Sequence, residues 1–122
     1  MGERHSHEAA AATNYTLAQQ LEVQGGDALC WVPTLIFYSC VQMLDSRLAD
    51  DSIHPRTQGD RLAYARTYSS HYTGPAAYKD LKTLSERWRY DARYPVPDEV
   101  ARAWRWAENL AAALKERWPP RG

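Results

Sequence analysis

Apolar residues recur along this chain at spacings of three and four, and the pattern predicts helices separated by short turns. Ala11, Tyr15, Ala18, Leu21 and Val23 form one stripe, which predicts a first helix over about residues 7 to 23, closed by Gly25-Gly26. The following segment is apolar nearly all round, with Leu29, Trp31, Leu35, Ile36, Phe37, Val41, Met43 and Leu44, as expected of a central helix. Asp27 is its candidate N-cap. Pro33 either marks its first turn or kinks it, because proline deletes an interior hydrogen bond and crowds the preceding turn.

Asp50-Asp51-Ser52 ends that segment, and Ile53-His54-Pro55 leads into a third predicted helix near residues 56 to 70 carrying Leu62, Ala65 and Tyr68. After Gly74-Pro75, the set Tyr78, Leu81, Leu84 and Trp88 marks one face of a fourth. The last periodic segment opens on Pro97, has Asp98 and Glu99 at its positive dipole end, and repeats apolar residues from Val100 to Trp118 before Pro119-Pro120. That pattern predicts a final helix running to Pro119, with Arg117 in its last turn. No segment alternates with period two, so no strand is expected. Short helix connections leave neighbours antiparallel, and the expected fold is an all-α, up-and-down antiparallel bundle of four to five helices.

Composition adds bounds to this picture. The 122 residues, 44 % hydrophobic and 11 % aromatic, suit one domain over 1–122, with residues 1–6 expected to fray. The run Ala28 to Leu44 is interrupted by Pro33, Ser39 and Gln42 and falls short of the roughly 20 apolar residues a bilayer crossing needs, so a buried helix and no membrane partner are expected. No secretory signal opens the chain. Cys30 and Cys40, ten residues apart on one predicted helix, would stand roughly 15 Å apart along its axis, too far to bridge. Two free apolar-flanked thiols and the missing signal lead to the expectation of a cytoplasmic protein. No metal or cofactor motif is present.

Formal net charge is zero, which disfavours wholesale polyanion binding. The charge is nevertheless uneven: residues 1–53 sum to −5, residues 54–93 to +4 and residues 94–122 to +1. A basic surface in the middle of the chain is one reading, and a solvated face the other. The five tryptophans divide similarly. Trp31, Trp88, Trp104 and Trp118 fit apolar faces and are expected in the core, whereas Trp106 lies off the final stripe beside Arg102 and Arg105 and is expected exposed at a partner surface.

Taken together, the apolar Phe37-Tyr38 helix, the His54-Pro55 turn, the Ala92-Arg93-Tyr94-Pro95 junction and the long last helix resemble the HEPN superfamily over nearly the whole chain. The resemblance implies an RNA- or nucleotide-associated bundle, homodimeric, and in active members a metal-independent endoribonuclease of a toxin–antitoxin or defence-type system. Such members carry Arg and His separated by four to six residues. An imidazole near neutral pKa exchanges protons with the 2′-hydroxyl or leaving oxygen, and a guanidinium stabilises charge on the phosphoryl oxygens. Arg47 and His54, six residues between them, are the candidate catalytic pair; Arg66 and His71, four between them, are a second match. With Arg56 and Arg61 the latter pair forms the candidate RNA- or nucleotide-binding set. Leu48 after Arg47, and Gln58 where related chains place a second His, depart from the active pattern. The alternative is therefore a non-catalytic interaction module that binds a nucleotidyltransferase-type or other protein partner. Arg93 and Tyr94 have their own structural reading, in which they close the bundle end.

Overall fold

The computed structural model describes residues 2–69 and 73–121, which contain five α-helices and no strand. Helix α1 spans Gly2–Gln24 and buries Ala11 and Ala18. It begins upstream of the expected start: residues 2–6, where fraying was expected, are helical. Arg4 accounts for this, since its guanidinium donates to the Ser46 carbonyl (3.2 Å), Asp50 (2.7 Å) and Glu116 (2.7 Å) and so ties the first turn to two other parts of the chain. The helix stops where Gly25 and Gly26 take φ of 70° and 58°, left-handed backbone that glycine adopts without a Cβ penalty.

A 3-10 segment, Gly26–Trp31, follows and feeds α2, Val32–Ala49. Gly25, not Asp27, is the capping residue, and Pro33 sits in the first turn of the α-helix, where its missing N–H costs nothing. Gly26–Ala49 is long and apolar enough to cross a membrane by length and composition, but α2 touches all four other helices and lies in the middle of the bundle. Ile36, Phe37, Leu44 and Leu48 are fully enclosed there, each worth about 1.5–3 kcal/mol relative to exposure. Cys30 and Cys40 are both buried and unbridged.

Helices α1 and α2 run antiparallel: the amino-terminal Arg4 meets Ser46, while the Ser39 hydroxyl donates to the Ala11 carbonyl at 2.8 Å. Helix α3, Gln58–Tyr68, is capped by Thr57, whose hydroxyl accepts from the Asp60 amide (3.0 Å). Helix α4, Thr73–Asp91, lies antiparallel to α5, Pro97–Leu114; Arg87 near the end of one donates to Glu99 near the start of the other. At the opposite end Gly74 permits their approach, because a Cβ there would stand 2.5 Å from that of Ala113.

The last helix ends short of Pro119. Lys115 turns left-handed (φ 56°, ψ 39°), its amide donates to Ala112, and the Glu116 amide donates to Ala111, which closes a Schellman cap. The tail then folds back so that Trp118 meets Tyr15 of α1 edge-on at 5.3 Å and Trp104 at 6.4 Å. Aromatic burial outside the helix thus replaces the extra turn that the apolar repeat predicted.

Candidate functional site

The carboxyl end of α2 and the loop after it bring Arg47 and His54 to one end of the bundle, where the start of α1 and the residues after α5 also arrive. Each candidate side chain already has neighbours. The Arg47 guanidinium lies 3.9 Å from Asp51 and 4.0 Å from Asp50, and stacks 4.9 Å over the Tyr68 ring. Tyr68 donates to Asp51, and that hydrogen bond raises the pKa of its phenol. His54 is 54 % exposed, with Nε2 3.3 Å from the Glu3 carboxylate. Glu3, Asp50 and Asp51 therefore crowd the place where a scissile phosphate would have to sit, and like charge repels it.

Of the candidate RNA-binding residues, Arg61 points inward. Its Nε and Nη2 donate to the two carboxylate oxygens of the buried Asp45 at 2.9 and 3.0 Å, a bidentate pair that pins α3 onto α2. Burial pushes the Arg61 pKa down, but the hydrogen bonds and charge of Asp45 more than offset it, and the net direction is up. Nearby, the buried Tyr78 donates to Gln58, and burial raises its phenol pKa well above the ordinary value. Arg56 and Arg66 are exposed and make no hydrogen bond or ion pair among the described residues. His71 lies outside the described residues, so Arg66 has no placed histidine companion. No group of three or more His, Cys, Asp or Glu able to hold a metal occurs among the described residues.

The opposite end carries a different surface. Trp31 of the 3-10 segment is 47 % exposed, Tyr90 at the end of α4 71 %, and Tyr94 in the junction before α5 54 %. Trp88 links Trp31 and Tyr94: its ring lies 6.1 Å from the first, nearly perpendicular, and 4.9 Å from the second, while Tyr90, two residues on along α4, leaves the helix on another side. The nearby Asp27 carboxylate raises the Tyr94 pKa, and the Arg89 guanidinium sits 5.3 Å over the Tyr90 ring. The cations near this face are partly paired. Arg87 pairs with Glu99 and Lys82 with Glu86, while Arg89 donates to Tyr38 and to Ser85.

This face departs from the sequence expectation in three residues. Trp31 was expected in the core; the 3-10 segment has three residues per turn rather than 3.6, which rotates it off the buried stripe. Trp88, also expected in the core, is half-buried and lies outside the core cluster. Trp106, expected exposed, is half-buried against the core, beside Leu84 and Arg102 in the groove between α4 and α5.

Comparison with protein-family models, with curated proteins and with solved structures finds no match to this chain. What the fold and its surfaces define is a small all-α bundle of five helices, of a kind consistent with a protein or nucleic-acid interaction module.

Proposed function

We propose that this chain is a non-catalytic helical interaction module that docks a protein partner through the ring surface of Trp31, Trp88 and Tyr94. The observation that carries this reading is the run of rings Trp31, Trp88 and Tyr94 at one end of the bundle, exposed at Trp31 and Tyr94 and half-buried at Trp88. Trp, Tyr and Arg are the residues that dominate the energetic centres of protein interfaces, and Arg93, exposed in the same junction, completes the set. Pairing of Arg87 with Glu99 and of Lys82 with Glu86 leaves few free cations near the face, which suits a protein surface better than a polyanion, whose affinity would require excess cations.

A nucleotidyltransferase-type protein is the partner to test first. Co-purified and titrated, it is expected to bind wild type, to lose at least roughly tenfold affinity with Trp31→Ala combined with Tyr94→Ala, and to keep its affinity with His54→Ala. Unchanged affinity in the double variant overturns the reading.

A second reading, an endoribonuclease of the HEPN type, is favoured by the arrival of Arg47 and His54 at the same end of the bundle. In it two copies of the chain would share one cleft, with Arg56 and Arg66 on the RNA backbone. Chelator-insensitive RNA cleavage abolished by His54→Ala would establish it and displace the first.

A further inference from the structure

A cleft of about 230 Å³ opens between the amino-terminal half of α1, the end of α2 and the folded-back tail after α5. Its floor is apolar, supplied by Ala11 and Met43, both buried. Four cations line it, Arg4, Lys115, Arg117 and Arg121, against two carboxylates, Glu8 and Glu116.

The ion pairs divide these groups unequally. Arg4 engages both carboxylates, Glu116 at 2.7 Å and Glu8 at 3.2 Å, and also reaches Asp50. Lys115, Arg117 and Arg121 are left exposed with no carboxylate partner among the described residues. The backbone at the end of α5 offsets them only in part. The carbonyls of Ala111 and Ala112, which would repel an anion at the end of α5, accept from the amides of Lys115 and Glu116. Four cations against two carboxylates thus leave the lining with a net charge of +2 in a chain whose net charge is zero.

We infer that this cleft is a binding site for a small organic phosphate, with its dianionic head on Arg117, Arg121 and Lys115 and its apolar body on Ala11 and Met43. Two guanidiniums match a phosphate in geometry, since each presents paired N–H donors to two oxygens. A dianion also matches a lining of net charge +2 better than a carboxylate does. The volume lies below the ~300–1,000 Å³ of drug-sized pockets, which restricts the body to about one ring. This site stands apart from the aromatic face and depends on none of the roles assigned to it.

The test titrates the full chain with phenyl phosphate, inorganic phosphate and phenol, read by calorimetry and by the fluorescence of Trp118, whose chain neighbours Arg117 and Pro120 line the cleft. Phenyl phosphate is expected to saturate with a dissociation constant near or below about 1 mM, and inorganic phosphate to bind roughly tenfold more weakly. Arg117→Gln combined with Arg121→Gln is expected to weaken phenyl phosphate at least roughly tenfold. Both positions are exposed, and a thermal melt verifies that the fold is intact. Tyr94→Ala is expected to leave binding unchanged. No saturation by about 10 mM, equal affinity in the double variant, or equal affinity for inorganic phosphate each overturns the assignment.

Discussion

Asp45 shows how a single residue assigns its neighbour. It is buried on α2, and both of its oxygens accept from Arg61, so a cation that reads as an RNA ligand in the sequence serves instead as a pin between helices. Removing the carboxylate would strand a largely buried guanidinium. Asp45→Ala is expected to cost about 3 kcal/mol, measured by urea unfolding, and Asp45→Ala with Arg61→Met to recover much of it, because removing both charges relieves the desolvation penalty. Glu116 makes a pH prediction at the same scale. Burial raises its carboxyl pKa above the ordinary 4.5, although Arg4 pulls it back in part. A raised folded pKa means the folded state binds more protons, so the group's contribution is fully present below about pH 4.5 and is lost as pH rises through the folded value. The melting advantage of wild type over Glu116→Gln is therefore expected to be larger near pH 4 than near pH 7. The opposite trend would show that the pair with Arg4 outweighs the burial.

At the scale of elements, the helix ends are decided by single backbone angles. Ala92 ends α4 with φ 52°, and the amides of Ala92 and Arg93 donate back to Trp88 and Arg87. An L-residue pays roughly 1–2 kcal/mol in that region, while glycine pays some of the difference back in unfolded-chain entropy. Ala92→Gly is expected to stabilise the chain by about 0.5–1 kcal/mol in thermal unfolding. The interiors of the helices were legible in the sequence because burial imposes a 3.6-residue period: Tyr78, Leu81 and Leu84 on α4 and Val100, Ala103, Ala107 and Leu110 on α5 are all buried. The ends were less so. Nothing in the repeat of α5 distinguishes Leu114 from Trp118; the difference lies in a left-handed Lys115 and a ring that finds Tyr15 across the bundle. Trp31 was misplaced for the same reason, since the pattern was read with α-helical rotation where the chain runs as a 3-10 segment. Among the candidate site residues, Arg47 and His54 could be placed at the end of α2 from sequence, but their carboxylate neighbours could not. Glu3 is more than fifty residues from His54 along the chain and reaches it only through the packing of α1 on α2.

At the scale of the whole molecule, the excess of +4 over residues 54–93 falls to +2 once the carboxylates that reach in from outside, Asp45 and Glu99, are counted. Arg61 belongs to Asp45, Lys82 to Glu86 and Arg87 to Glu99, and Arg89 is turned onto Tyr38 and Ser85. Arg56, Arg66, Lys79 and Arg93 remain exposed, but Arg93 lies in the junction before α5, beside the aromatic face and away from α3. Lys79 lies on α4, so Arg56 and Arg66 are the two cations of this group at or beside α3. Single-stranded nucleic acid loses affinity with salt at a slope of about −0.7 per neutralised phosphate, so a two-cation contact predicts a log–log slope near −1.4 for a generic RNA. Measured by fluorescence anisotropy across a salt series, that slope should fall toward zero in Arg56→Gln combined with Arg66→Gln and stay unchanged in Arg61→Met, provided the latter remains folded. A slope steeper than about −3 would require the four remaining cations and more to act as one surface, and would move nucleic acid ahead of protein as the natural partner of this bundle.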